Sequence, residues 1–172
     1  MKVILQNAIT LNGLIAGENH NTNWVSDADW QSFVDLANKV GNIIIGRTTY
    51  EVMKKAGEVN NYANLLIVVL TKNKNLEREG EKIAITSKKP KDVLKMMEEK
   101  GYKEVLIAGG GKLNASFIKE GLIDEIFFDV HPIILGKGTQ VFAADEFQYK
   151  LKLLESKKLS ENVVQLHYKV IK

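Results

Sequence analysis

The chain has 172 residues, 45% hydrophobic and 26% charged, which is the balance of a folded protein and excludes general disorder. Lysine and arginine number 24 against 21 acidic residues, and a net charge of +3 does not single out nucleic acid as a partner. The absence of cysteine excludes disulfides, thiolate metal sites and a cysteine nucleophile, and no apolar run approaches the ~20 residues of a membrane-spanning helix.

The opening segment, MKVILQNAIT, contains an apolar strand, Val3-Ile4-Leu5, broken by Gln6, Asn7 and Thr10. It lacks the uninterrupted apolar stretch of a secretory signal, so a cytoplasmic protein is expected. Thr10-Leu11-Asn12-Gly13 then reads as a turn. Ser26 and Asp27 offer N-caps for a helix whose buried face carries Trp30, Phe33, Val34 and Ala37 at i, i+3, i+4, i+7 spacing. Ile43-Ile44-Ile45 forms a strand ending at Gly46, and Thr48 or Thr49 can cap a second helix carrying Tyr50, Val52 and Met53. Residues 54–64 are polar and read as a surface loop, followed by the wholly apolar strand LLIVVL from Leu65 to Leu70 and a second polar loop over 72–82. Residues 87–101 read as a helix, with Pro90 in the first turn, a stripe of Val93, Leu94 and Met97, and Gly101 at its end. The strand Val105–Ala108 runs into Gly109-Gly110-Gly111, and a fourth helix follows with Leu113, Phe117 and Ile118 inward and Gly121 closing it.

Alternating strands and helices predict an α/β fold with a mainly parallel sheet over the first two thirds. Beyond it, residues 125–134 read as a strand, and 151–159 and 163–171 flank the polar turn Ser160-Glu161-Asn162 as an antiparallel hairpin. In the last strand Val164, Leu166, Tyr168 and Val170 alternate with Gln165, His167 and Lys169, which predicts one buried face. The stretch 125–135 holds more apolar residues than one strand face requires, which predicts a homodimer unless the chain's own helices cover both faces.

Three strand ends carry anion-friendly groups. Glycines in Ala108-Gly109-Gly110-Gly111-Lys112 let backbone N–H groups approach a ligand, and the following helix start adds partial positive charge; the triplet equally fits a tight turn. It is neither the GxGxxG fingerprint nor a P-loop, since Leu113 follows Lys112. Gly46-Arg47-Thr48-Thr49 sets one of only two arginines beside a helix start with two hydroxyls, and Thr71-Lys72 ends the LLIVVL strand. Ligands of open α/β sheets bind beyond the C-terminal strand ends, so the three together point to an extended phosphorylated ligand such as a dinucleotide. Asp29 fits two descriptions: a ligand-facing acid on the inner side of its helix near Trp30 and Phe33, or an exposed first-turn carboxylate favoured by the helix dipole. His20, His131 and His167 are scattered without ligand spacing, so no metal site is expected.

In the order TLNG, Trp24, helix, IIIGRTTYE, LIVVLTK and VLIAGGGKLNASFIKEGLIDEIFFDVHPIILGKG, the chain resembles the dihydrofolate-reductase-like superfamily. Within it, the chain looks most like the reductase domain of the riboflavin-biosynthesis deaminase–reductase. The resemblance spans nearly the whole chain as one domain, 1–172. It implies a three-layer α/β/α fold, with a mostly parallel mixed sheet and a C-terminal antiparallel hairpin, and NADPH as cofactor. It further implies that Gly46, Arg47, Thr48 and Thr49 hold phosphates and that Thr71 and Lys72 meet the adenosine 2′-phosphate. Ala108, Gly109, Gly110, Gly111, Lys112 and Leu113 would cradle the pyrophosphate and nicotinamide ribose, and Ala8 and Ile15 would lie against the nicotinamide. Thr10, Asn12 and Trp24 would face the substrate, and Asp29, or a water held by Thr10 and Asn12, would supply the proton. Asn12 stands where riboflavin reductases usually carry an aspartate, and no cysteine is present for a deaminase zinc site. The implied activity is hydride transfer to a ribosylamine imine or another polar heterocycle by a homodimer with no nucleic-acid or membrane partner. A pteridine or dihydrofolate reductase and a non-catalytic nucleotide-binding homologue are the alternatives.

Overall fold

The apolar runs become strands of one eight-stranded sheet in the computed structural model, which describes residues 1–73, 75–78 and 80–172. β1 (Lys2–Thr10), β3 (Asn42–Gly46), β4 (Leu66–Leu70), β6 (Glu104–Ile107) and β7 (Glu125–His131) coincide with expected strands, whereas β5 (Ile83–Thr86) arises where none is expected. β2 (Leu14–Ala16) and β8 (Thr139–Gln140) form a separate two-stranded ribbon, and β9 (Lys150–Lys158) and β10 (Val164–Ile171) form the hairpin. The order is β5-β4-β3-β6-β1-β7-β10-β9; the strands from β5 to β7 are parallel, and β10 is antiparallel to both neighbours.

Helices cover both faces. α1 (Asp27–Val40) and α2 (Arg47–Lys55) pack on one side, and α3 (Pro90–Glu99) and α4 (Gly111–Lys119) on the other. The two cores divide each strand by alternate residues. Val3 and Leu5 face α3 and α4, with Ile44, Val105 and Ile107; Ile4, Ile43, Ile45 and Leu106 face α1 and α2. A strand buried on both faces must be apolar at every position, which is why these runs show no alternation in the sequence. The Ser26 hydroxyl accepts from the Asp29 N–H (3.3 Å) to cap α1, and Gly41, at φ +78°, ends it. Neither threonine caps α2; its N-cap is Gly46, which leaves Thr48 and Thr49 facing the cleft described below.

Three elements depart from the expectations, in residues 54–64, β7 and β10, while 72–82 is the expected loop in its described part. Residues 54–64 contain a 3₁₀ helix, Glu58–Tyr62, that turns Val59 and Tyr62 into the core, with Tyr62 edge-on to Trp30 (5.8 Å) and Phe33 (6.0 Å). Within 72–82, Lys74 and Glu79 lie outside the described residues, and the others are irregular until just before β5. β7 stops at His131, because Pro132 has no N–H to donate to the ladder. In β10 the buried side chains are Gln165 and Val170, not the four apolar positions; a bulge between His167 and Tyr168 shifts the register, and Gln165 turns inward to hydrogen-bond. The chain itself covers part of the apolar excess of 125–135, where Phe127 stacks on His167 at 3.9 Å and Phe128 meets Phe142 edge-on, whereas Ile134 stays exposed. No helix among the described residues is long and apolar enough to cross a membrane.

Candidate active site

The C-terminal ends of the parallel strands open into one cleft of about 1210 Å³. That exceeds the roughly 300–1,000 Å³ of a typical small-ligand pocket, as an extended ligand requires. All three anion-friendly strand ends line this cleft: Gly46 to Thr49 after β3, Thr71 and Lys72 after β4, and Ala108 with Gly110 to Leu113 after β6. Two backbone bonds hold the neighbouring β3 and β6 ends together, Gly46 N–H to the Gly109 carbonyl (2.9 Å) and Ala108 N–H to the Ile44 carbonyl (3.1 Å). Ala8 and Ile15 line the same cleft. Gly109 does not line it; it adopts φ +91°, and a Cβ there would press on the Asn7 amide at 3.2 Å. The Gly109–Gly110 peptide is cis.

The start of α3 adds Ser87, Lys88 and Lys89, so Arg47, Lys72, Lys88, Lys89 and Lys112 place five cations on the β5-to-β6 half of the cleft. The short strand β5 carries this contribution, and its lack of an obvious apolar run hides it from sequence reasoning. Arg47 Nη1 donates to both carboxylate oxygens of Glu51 (2.9 and 3.0 Å).

The glycines differ in tolerance. A Cβ on Gly110 would make only ordinary contacts, 3.5 Å from Thr49 Oγ1, and would project into the cradle. A Cβ on Gly111 would collide with the Gln140 carbonyl oxygen, a backbone atom that cannot swing aside. Gly111→Ala should therefore destabilise the fold by about 1–3 kcal/mol, read as a lowered denaturant midpoint, whereas Gly110→Ala should leave the midpoint in place and weaken only the ligand. Equal midpoints for the two variants would contradict this geometry.

Residues of α1 and β1 line another part of the cleft, with β7 behind them. Asp29 is 3% exposed and lines the cleft. Behind it lies Asp129 of β7, fully buried, whose two carboxylate oxygens accept from Gln6 Nε2 (2.8 Å) and Gln165 Nε2 (2.7 Å). Burial, then the charge of Asp129 and a hydrogen bond with it, push the Asp29 carboxyl far above the usual carboxylate range, to about 9. Two amides donate to Asp129, so the proton of the pair sits on Asp29. His131 accepts the Ser26 N–H on Nε2 (3.2 Å), which leaves its Nδ1–H for the Asp129 backbone carbonyl (3.0 Å). In that tautomer Nε2, 3.5 Å from Asp29 Oδ2, cannot donate to it.

Thr10, Asn12 and Trp24 do not line the main cleft. The Thr10 hydroxyl donates to Asn12 Oδ1 (2.8 Å) and accepts from the Leu14 N–H (2.9 Å), while Asn12 Nδ2 donates to the Leu135 carbonyl (2.7 Å). Trp24 packs edge-on to His131 at 5.1 Å and faces a smaller neighbouring pocket. Sequence reasoning missed Gln6, Glu58, Tyr62 and Asp129. A lone carboxylate inside the apolar run EIFFDVH was a signal for Asp129; nothing marked Glu58 and Tyr62, which an irregular turn brings in. Among the described residues no three His, Asp or Glu side chains gather as a metal site would require.

The same architecture occurs in known proteins. The chain is 31% identical over 170 residues to the uncharacterised protein YwjB of Bacillus subtilis (strain 168), covering 97% of each. A Shewanella sp. PV-4 protein named for riboflavin biosynthesis superposes with a TM-score of 0.87 at 25% identity, over 100% of both chains. Dihydrofolate reductase of Enterococcus faecalis, solved with NADP(H) and RAB-propyl, superposes with a TM-score of 0.74 at 17% identity, over 99% of this chain and 97% of that one, a likeness of fold. Residues 1–165 match the family described as the RibD C-terminal domain. With its dihydrofolate-reductase-like fold and a match that leaves only the last seven residues outside, the chain belongs to the RibD C-terminal domain family.

Proposed function

We propose that the chain is an NADPH-dependent reductase of the riboflavin-biosynthesis type, delivering a hydride to an electrophilic carbon of a polar heterocycle or ribosylamine imine. The observation that carries this reading is the division of one cleft into a cationic, glycine-lined half and a half walled by a buried protonated acid. The residues present fit the cofactor: Gly110 leaves open the space a Cβ would fill, and five cations surround the strand ends. Gly46 to Thr49 and Gly110 to Lys112 present helix N-termini to phosphates, and Lys72 and Thr71 stand at the adenosine end. Ala8 and Ile15 form the apolar wall for the nicotinamide. NADPH, when bound, supplies the hydride. Asp29 gives its proton to the heteroatom next to the reduced carbon, so a C=N bond gains one hydride at carbon and one proton at nitrogen.

The test is a fluorescence titration with NADPH, followed by its oxidation in the presence of an aminopyrimidine ribosylamine and, separately, a dihydropterin. Binding with turnover of either supports a reductase and identifies the ring. Binding without turnover on both points to the non-catalytic alternative, and no binding removes the reading.

We also propose a homodimer. Its basis is the outermost hairpin: β9 is exposed along its whole length and leads with Leu151 (41%), Leu153 (51%) and Leu154 (45%), beside Ile171 (43%) of β10. An unpaired edge strand bearing leucines invites a second copy. Light scattering at micromolar concentration should give a dimer for the native chain and a monomer for Leu153→Lys; a native monomer would refute the proposal.

A further inference from the structure

Asn114, in the first turn of α4, has no exposed surface. Its Nδ2 donates twice, to the Val141 carbonyl (2.7 Å) and to Asn7 Oδ1 on β1 (2.9 Å). Its own Oδ1 is buried with no hydrogen-bond partner among the described residues. Buried polar groups are normally satisfied, so this orphaned oxygen is a cost that folding alone does not explain.

The two bonds fix an orientation. A backbone carbonyl only accepts, so the Asn114 atom that meets Val141 is Nδ2, and the Asn7 atom that meets the same nitrogen is Oδ1. Val141 is itself tied down: its N–H donates to the Gly13 carbonyl (3.0 Å), and the Ala143 N–H donates to the Gly111 carbonyl (3.0 Å). Asn7 is half-buried and lines the cleft, and its Nδ2 has no partner among the described residues. Its amide therefore offers the cleft a donor and no acceptor. The donor stands beside two groups already assigned to the coenzyme: a Cβ on Gly109 would lie 3.2 Å from Asn7 Nδ2 and 3.8 Å from Ile15 Cδ1, and Ala8 follows Asn7 on β1.

We propose that Asn7 recognises the carboxamide oxygen of the nicotinamide ring and that Asn114 is its positioning residue. The inference rests on the reductase reading, which sets the ring against Ala8 and Ile15. A carboxamide offers an acceptor oxygen and a donor nitrogen of similar size, and a partner that can only donate takes the oxygen. An asparagine free to turn would take either. A carboxamide held in this way keeps the ring in one turn about its ribose bond and so directs one face of the ring to the substrate.

The experiment compares NADPH with its 3-acetylpyridine and thionicotinamide analogues by binding calorimetry. The first analogue keeps the carbonyl oxygen and has no N–H; the second keeps the NH₂ and replaces the oxygen by sulfur, a weak acceptor. The native chain should bind the acetylpyridine analogue within about threefold of NADPH and the thionicotinamide analogue several-fold more weakly. Asn7→Leu should weaken NADPH and the acetylpyridine analogue several-fold and bring all three within about twofold of one another. Asn7→Asp keeps the acceptor for Asn114 and turns the free donor into an acceptor, so the acetylpyridine analogue, with no N–H to give, should become the weakest of the three. Asn114→Asp, whose carboxyl can give its proton to Val141 and accept from Asn7, should turn the Asn7 amide round and produce the same reversal. Asn114→Ala, should the carboxyl variant not fold, should narrow the spread among the three coenzymes. The native order retained in Asn7→Asp, or an equal loss of all three in Asn7→Leu, would overturn the role of Asn7; the native order retained in a folded Asn114 variant would overturn the role of Asn114. The parent reading fails differently, since a native chain that binds none of the three coenzymes removes the reductase and this inference together, whereas coenzyme binding with an unmoved order removes this inference alone.

Discussion

Asp29→Asn should lower turnover by about 10²–10⁴-fold, the usual contribution of a positioned general acid, while the NADPH dissociation constant changes by less than about twofold. The separation follows from the layout. Asp29 lies on α1 against β7, and the groups proposed for NADPH lie at the ends of β3 to β6. Asparagine keeps the shape and can donate to Asp129, so the variant should fold. The pH dependence gives a second readout. The carboxyl is raised from 3.8 to about 9 in the folded chain, so above pH 4 the native state holds a proton that the unfolded chain has released. Its contribution to stability is complete below pH 4 and is lost as pH rises toward 9, with a slope of up to about 1.4 kcal/mol per pH unit for one proton. In Asp29→Asn that slope should disappear, so the variant should gain stability on the native chain as pH is raised from 5 to 9. Turnover by the native chain should fall as pH rises through the same pKa, because the donor loses its proton. Parallel stability curves for the two proteins between pH 5 and 9 would show that the acid is not held protonated.

Lys72→Ala should raise the NADPH dissociation constant by roughly tenfold or more and leave that for NADH nearly unchanged, since a charge-assisted contact with the 2′-phosphate is worth about 1.5–3 kcal/mol. Lys72 is exposed at the end of β4, with its helix-side neighbours Lys88 and Lys89 lining the same region of the cleft. The effect should shrink at high salt, because exposed charges are screened beyond roughly 10 Å at 0.1 M ionic strength. Thr71 stands differently: its hydroxyl accepts the Asn73 N–H (3.0 Å), so it shapes the loop that carries Lys72. Titrating both coenzymes against both proteins decides the matter, and an equal loss of NADPH and NADH would remove Lys72 from the 2′-phosphate.

The cationic half of the cleft could be read before the structure because it is made of local patterns. Apolar runs such as Ile43-Ile44-Ile45, each ending at a glycine or a hydroxyl and followed by a helical stripe, specify strand, turn and helix from neighbours within a few residues. Alternation of strands and helices then makes the sheet parallel, and a parallel sheet gathers its strand ends on one edge. Lys88 and Lys89 escaped only because β5 is four residues long and little marks it.

The acidic half depended on contacts that no local pattern encodes. Asp29 in the first turn of α1 has the same sequence context whether it points to water or to the sheet. It is buried because β7 adds to β1 in the register that pairs Ala8 with Asp129, and β10 adds to β7 in the register that pairs Gln165 with Asp129. Those pairings bring Gln6, Asp129, Gln165 and the start of α1 into one buried cluster. Glu58 and Tyr62 join the cleft through a 3₁₀ turn anchored by packing on Trp30 and Phe33. Periodicity and turn chemistry reach across a few residues, so they settled the frame and the anion-binding edge; the protonation of Asp29 arises from segments distant along the chain, and only the folded sheet brings them together.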